Sequence, residues 1–343
     1  MRHILTIIGL IFCNVSLYCQ IPDGYYSTVE GLSGDNLKTA LYNIIKGHTE
    51  YPYTSTNTDT WDILKETDKD TINPENVILF YTGWSVNAAQ EYNNGNGWTR
   101  EHIWAKSRGD FGTTMGPGTD AHHLRPTDNS TNSARNNRWF DNCTEPYLIG
   151  GIPTGCYTSS TSWVWQPRDK VKGDVARMIF YMATRYEGEN GEPDLEVIDY
   201  IPADNNTTEP VQAKLSTLLQ WNEGDPVDNF ERHRNEVIYG YQHNRNPYID
   251  HPEYIALIWG GSTSITDIIN KSNVRIYPNP SRDYIHIDNP DRNTITICST
   301  LGIIILQTED SYINLTNLKS GYYVLIVKDS SGIITSRQNL IVL

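Results

Sequence analysis

The chain changes texture at one point, and that change limits what it can fold into. After Trp259 comes "GGSTSITDIINKSN", small and polar, and from Val274 onward apolar and polar residues alternate in short runs: "VRIYPNPS", "YIHIDN", "TITICSTLGIIILQ", "YINLTNL", "GYYVLIVKD" and "GIITSRQNLIVL". A two-residue period places successive side chains on opposite faces, so these runs read as short strands joined by turns, a small all-β sandwich. Upstream, the apolar spacing is mostly helical. "NLKTALYNIIKG" has an apolar face and a glycine stop; in "KGDVARMIFYMATRYEG", Val175, Met178, Ile179 and Met182 recur on one face, with Gly188 beyond; and "HPEYIALIWGG" reads as a last helix. "ENVILFYTG" reads as a short buried strand. The expected class is α+β: a mainly helical domain over 20–260, a linker over 261–272 and a β-sandwich over 273–343. A length of 343 residues agrees with two domains.

The amino terminus, "MRHILTIIGLIFCNVSLYCQ", has a short basic start, an apolar run from Ile4 to Phe12 and a small residue, Cys19, before Gln20. This is the pattern of a secretory signal peptide over 1–19. The apolar run is shorter than the ~20 residues needed to span a bilayer, so no stable membrane span is expected. Secretion implies an oxidising compartment. Cys143 and Cys156 bracket "CTEPYLIGGIPTGC" and are a disulfide candidate. Closing such a loop stabilises by roughly 3 kcal/mol in the chain-entropy picture. Cys298, inside "TITICST", reads as a core residue.

The formal net charge of -14 argues against polyanion binding by the surface as a whole. Yet "TREHIWAKSRGD", residues 99–110, sets a Glu-His pair among basic residues, and the stretch 98–140 continues with "DAHHLRPTD" and "NSTNSARNNRWF". The order reads strand, loop, strand, helix, with the second strand ended by Pro126 and the helix capped by Asp128, Asn129 or Ser130. On that helix Asn132, Arg135, Asn136 and Trp139 share a side. Glu101 and His102, adjacent on a strand, point to opposite faces unless they lie at its end. Glu and Asn supply hard oxygen donors, which suit Mg²⁺. A neutral imidazole near them can take a proton from water. These parts describe one-metal phosphodiester hydrolysis.

Those residues resemble the endonuclease I family of ββα-metal (His-Me finger) nucleases. "REHIW", "DAHHLRP" and "NSTNSARNNRWF" carry the likeness, with "GYYSTVEGLSGDNLKTALYNIIKGHT", "VKGDVARMIFYMATRY" and "DPVDNFERHRNEVIYGYQHNRNPYIDHPEYIALIWG" extending it over about residues 23–260. The resemblance implies that His102 is the general base, that Glu101 and Asn132 bind Mg²⁺ directly (Ca²⁺ or Mn²⁺ substituting), and that Arg135 holds phosphate. It implies cutting of DNA, and often of RNA too, with little sequence preference and 5′-phosphate ends. Gln166 departs from the pattern, standing where the family has an acidic residue before the proline. The tail, through "YPNPSRDYIHI", "LGIIILQ" and "LKSGYYVLIV", resembles the sorting domain of the type IX secretion system. That implies export as a secreted or cell-surface protein, with the secretion machinery as a partner.

The local basic residues then have a reason: they face a phosphate backbone while the acidic remainder faces solvent. Candidates for the groove are Arg100, Lys106, Arg108, Arg125, Arg135, Arg138, Arg168, Lys170, Lys172 and Arg177, with Arg135, Arg108 and Lys172 foremost. Two other readings remain at the level of sequence: a zinc-dependent hydrolase of another ester using His102, His122 and His123, and a non-catalytic surface protein that binds through its β-tail. A monomer is expected.

Overall fold

The computed structural model describes residues 21–260, 275–287, 293–299, 304–328 and 334–343. The expected signal peptide and linker lie outside these residues. The chain divides into two compact units, the first ending at Trp259 and the second starting at Gly260.

The first unit opens with α1 (Gly34–Ile45) and α2 (Thr60–Thr67), followed by the hairpin β1 (Asn76–Ile78) and β2 (Ser85–Asn87). Asp59 starts α2 with a reciprocal cap: its carboxylate accepts from the Trp61 and Asp62 N–H groups, and Asp62 reaches back to the Asp59 N–H. The antiparallel pair β3 (Trp98–His102) and β4 (Leu124–Asp128) comes next, and α3 (Asn129–Arg135) begins where β4 ends. Asp128 caps α3 by accepting from the Thr131 N–H at 2.8 Å.

A four-stranded sheet, ordered β5-β8-β7-β6, is built from β5 (Trp139–Phe140), β6 (Glu145–Ile149), β7 (Ile152–Ser159) and β8 (Val164–Gln166). Then come α4 (Lys172–Arg185), the parallel pair β9 (Glu196–Ile198) and β10 (Val211–Ala213), and α5 (Leu215–Gly224), α6 (Asn229–Gln242), α7 (Pro247–Asp250) and α8 (Glu253–Trp259). The unit is thus α+β, with short strands threaded between its helices throughout.

The main core gathers around α4, whose Val175, Ile179, Phe180 and Met182 pack with Leu37, Leu41, Trp104, Trp165 and Tyr248. α4 is not the amphipathic surface helix its spacing suggests. From Gly173 to Arg185 every residue is buried, and its charges are paired internally: Asp174 with Arg125 at 3.0 Å, Arg177 with Glu231 at 2.7 Å, Arg185 with Glu192 at 2.9 Å. Gly173 is required by close approach, since a Cβ there would lie 2.0 Å from the Asp225 carbonyl oxygen.

Three local expectations are corrected. Pro126 does not end the second strand; it sits mid-β4 opposite Arg100, tolerated because this sheet has only two strands, and its carbonyl accepts from the Phe80 N–H. α3 stops at Arg135, with Asn136 at φ 51°, so Trp139 belongs to β5 and not to the helix face. The cysteines are not bridged. Cys143 and Cys156 are free thiols: Cys156 faces the main core, where its Sγ donates to the Tyr81 carbonyl at 3.3 Å, while Cys143 packs in a separate cluster with Trp139 and Val164.

The second unit is a β-sandwich. One sheet is ordered β11 (Ile276–Tyr277), β12 (Tyr284–Ile287), β15 (Tyr312–Asn314); the other β14 (Ile304–Thr308), β13 (Thr294–Ser299), β16 (Gly321–Lys328), β17 (Ile334–Val342). Alternation puts Ile285, Ile287, Ile295, Ile297, Ile313, Leu325 and Val327 in its core, and Cys298 is buried beside them in β13.

Candidate active site

β3 is buried on both sides, and the sequence explains how both members of its Glu-His pair reach one place. His102 is the last residue of the strand. Glu101 lies opposite Arg125 and His102 opposite Leu124, and the ladder gives way there to a bond from the Ile103 N–H to the His123 carbonyl. Glu101, His102 and Asn132 all line one cleft of about 380 Å³, together with Tyr53, Arg100, Lys106, Ser107, Arg135, Asn136 and Asn137.

The His102 ring is fixed on two sides. Its Nε2 lies 2.9 Å from the Gly118 carbonyl oxygen, an atom that can only accept, so Nε2 carries the proton and Nδ1 keeps the lone pair. Tyr53 stacks on the ring at 5.7 Å and 16°. Burial, and then the neighbouring His123, hold the imidazole well below its ordinary pKa, so it is neutral at physiological pH. Gly118 comes from the Gly-rich loop between the strands; a Cβ on it would lie 2.6 Å from the Thr114 carbonyl oxygen, which only glycine avoids.

Glu101 is 2% exposed. Its Oε1 accepts the Tyr81 hydroxyl at 2.8 Å and meets the Arg135 guanidinium at 3.2 Å, while no donor among the described residues reaches Oε2. Burial pushes its pKa up to about 7, against the opposing pull of Arg135 and the Tyr81 hydrogen bond. Asn132, on α3, sets its Nδ2 3.5 Å from the Arg100 carbonyl, beyond the usual range, and its Oδ1 accepts from no donor among the described residues. Glu101 and Asn132 both line the cleft, and among the described residues neither the Glu101 Oε2 nor the Asn132 Oδ1 has a donor; carboxylate and amide oxygens are the hard donors that a divalent cation such as Mg²⁺ takes.

The three residues expected to meet phosphate have these surroundings. Arg135 donates to the His102 and Ile103 carbonyls at 2.9 and 2.6 Å and stacks over Phe140, so its guanidinium is part of the wall. Arg108 lies outside the cleft, fully buried: it donates to the Asn137 carbonyl at 2.6 and 3.1 Å and to that of Thr207 at 3.4 Å, with its guanidinium 3.1 Å over Trp139. Lys172 pairs with Asp169 at 2.8 Å in a different cleft, beside Trp221. Most of the wider groove set is likewise engaged: Arg125 by Asp68 and Asp174, Arg177 by Glu231, and Arg100 between Tyr53 and Trp61. Lys106 is exposed and lines the cleft.

Gln166 has a structural partner, its Oε1 accepting from the Cys143 N–H at 2.9 Å. The three-histidine zinc set does not assemble. His122 Nε2 is bonded to the Asn244 carbonyl and His123 Nε2 to that of Pro117, and among the described residues no three His, Cys, Asp or Glu side chains are placed to hold a metal ion. A larger cleft of about 870 Å³ sets Glu50, Asp110, Glu189 and Glu192 against Lys46 and Arg185, an acidic excess ill-suited to a polyanion.

Sequence reasoning missed Tyr81 and Gly118. Tyr81 was hidden in an apolar run read as a plain strand; the clue is that a buried tyrosine hydroxyl needs a partner.

The class of protein is a nuclease, shown by its family and its relatives. Residues 33–253 match the family Endonuclease I, and the chain belongs to it. Residues 275–342 match the Secretion system C-terminal sorting domain, which directs the protein through type IX secretion to the cell surface or beyond. The chain is 54% identical over 238 residues to an extracellular ribonuclease of Bacillus subtilis (strain 168), covering 69% of this chain and 78% of that one. An extracellular ribonuclease of Bacillus amyloliquefaciens is 53% identical over 236 residues, 68% and 78% of the two chains. A solved structure of PorZ, a surface component of the type IX system of Porphyromonas gingivalis, aligns over 24% of this chain and 12% of its own at 26% identity, with a TM-score of 0.19, too little to bear on the fold. The family match overturns the reading of a non-catalytic surface protein. Among the described residues no helix is long and apolar enough to cross a membrane.

Proposed function

We propose that the protein is a Mg²⁺-dependent endonuclease of little sequence preference, cutting RNA and DNA to 5′-phosphate products. The carrying observation is geometric: the His102 ring is held through Nε2 by the Gly118 carbonyl in a cleft also lined by Glu101 and Asn132, whose Oε2 and Oδ1 have no donor among the described residues. His102 Nδ1 acts as general base, taking a proton from the attacking water. Glu101 and Asn132 hold the cation, with Mn²⁺ or Ca²⁺ as substitutes. Held by these two residues, such an ion would supply charge stabilisation for the phosphoryl and leaving oxygens. Lys106, at the rim, positions the backbone phosphate; such a contact carries no base information, in keeping with weak sequence preference. RNA is included because the Bacillus relatives are named extracellular ribonucleases.

The test is incubation of the purified secreted protein with plasmid DNA and with RNA, with and without chelator. Both polymers are cut, chelation stops the cutting and Mg²⁺ restores it. His102→Ala lowers the rate by about 10²–10⁴-fold while leaving nucleic-acid binding nearly intact. Cutting that survives chelation, or a near-normal His102→Ala rate, overturns the reading.

A further inference from the structure

Glu101 does not offer its two oxygens equally. Tyr81 follows β1 in a segment tied to β4 by the bond from the Phe80 N–H to the Pro126 carbonyl. Its ring is wedged against Phe80 at 5.2 Å and Trp165 at 5.5 Å, and its own carbonyl receives the Cys156 thiol. Held this way, the phenol has one place to send its proton, the Glu101 Oε1 at 2.8 Å. Arg135 meets the same oxygen at 3.2 Å, its guanidinium braced by the His102 and Ile103 carbonyls. A hydroxyl donor and a guanidinium charge, from different elements, therefore converge on Oε1, and no donor among the described residues approaches Oε2. A carboxylate has about four lone-pair positions over its two oxygens, and a hydrogen bond and a cationic charge drawn to one of them leave the other as the free ligand.

We infer that Tyr81 and Arg135 are positioning residues that restrict Glu101 to binding a cation through Oε2 alone, and thereby set the metal preference of the site. The inference rests on the proposed Glu101–Asn132 cation site. Small cations that demand near-ideal octahedral geometry, Mg²⁺ and Mn²⁺, are satisfied by single oxygens and retained waters. Ca²⁺ takes six to eight oxygens and readily uses both oxygens of a carboxylate. Occupying Oε1 removes that option and disfavours Ca²⁺. It also fixes the carboxylate plane, as partners behind a metal ligand commonly do.

The experiment measures cation binding by the thermal stabilisation of the full secreted protein, titrated separately with Mg²⁺, Mn²⁺ and Ca²⁺, with no substrate present. Wild type is stabilised by Mg²⁺ and Mn²⁺ in preference to Ca²⁺, and Glu101→Gln abolishes the effect. Should wild type show no Glu101-dependent stabilisation, the cation site itself is wrong. Given that stabilisation, Tyr81→Phe, which removes only the hydroxyl, weakens Mg²⁺ binding about tenfold and weakens Ca²⁺ less, narrowing the preference. An unchanged Mg²⁺ affinity and an unchanged Mg²⁺-to-Ca²⁺ ratio in Tyr81→Phe overturn the inference while leaving the cation site standing. If Tyr81→Phe is not folded without cation, Arg135→Lys, which keeps the charge but loses the fork, is read by the same two criteria.

Discussion

Burial moves the charges of Glu101 and His102 in opposite senses. The Glu101 carboxyl is pushed up to about 7, so without a cation it holds its proton below that pH; the His102 imidazole, held well below its ordinary value, stays neutral there. The acid limb of the pH profile therefore belongs to Glu101. Protons and cation compete for one carboxylate, and as pH falls below about 7 the half-saturating Mg²⁺ concentration rises, approaching tenfold per pH unit. Saturating Mg²⁺ restores the rate at pH 6. Mg²⁺ titrations of initial rate at pH 6, 7 and 8 check this; an acid loss that saturating Mg²⁺ cannot reverse would assign the limb to His102. That the Glu-His pair and Asn132 meet at one cleft was legible in the sequence, because an imidazole beside hard oxygen donors stands out by residue type and order. The fates of Arg135 and Arg108 were not. A guanidinium beside a carbonyl and one beside a phosphate look alike in sequence, and the partners of Arg135 are contributed by His102 and Ile103, far back along the chain.

At the scale of elements, the β3–β4 pair and α3 are held by buried ion pairs as much as by apolar packing. Arg125, on β4, donates to Asp68 at the end of α2 and to Asp174 on α4, at 2.7 and 3.0 Å, with its guanidinium over Phe80. Removing it takes from Asp174 its ion pair and leaves Asp68 to Arg234 at 3.5 Å and the Thr67 hydroxyl at 2.8 Å. Arg125→Met should destabilise the first unit by about 3–5 kcal/mol in a urea titration, and a loss under 1 kcal/mol would show that solvent reaches the pair. The periodic elements were readable: α1, α4 and α8 fall where the spacing puts them, as do the alternating strands of the tail. What failed was extent and environment. The strand expected in "ENVILFYTG" is confined to Asn76–Ile78, and α4 is buried on all sides because its polar residues find charged partners on β4, α6 and the segment after it. Periodicity reports one apolar face; it does not report a buried partner for the other.

For the whole molecule, a net charge of -14 leaves few cations free to meet a polyanion. With Arg125, Arg135 and Arg177 engaged internally, and Lys106 the expected cation both exposed and on the cleft, few phosphates are neutralised. The steep salt dependence that a full basic groove would give is not expected. Log affinity against log salt should have a slope of about −2, measured by fluorescence anisotropy with a catalytically dead His102→Ala protein on labelled DNA duplex; a slope of about −6 or steeper would mean that other cations turn outward on binding. The central claim, that Glu101 and Asn132 share one cation beside the His102 ring, is tested most directly by anomalous diffraction from crystals soaked in Mn²⁺. The account predicts a single strong peak in the cleft, about 2.0–2.3 Å from both Glu101 Oε2 and Asn132 Oδ1. A peak bound elsewhere, or one touching neither oxygen, would contradict it.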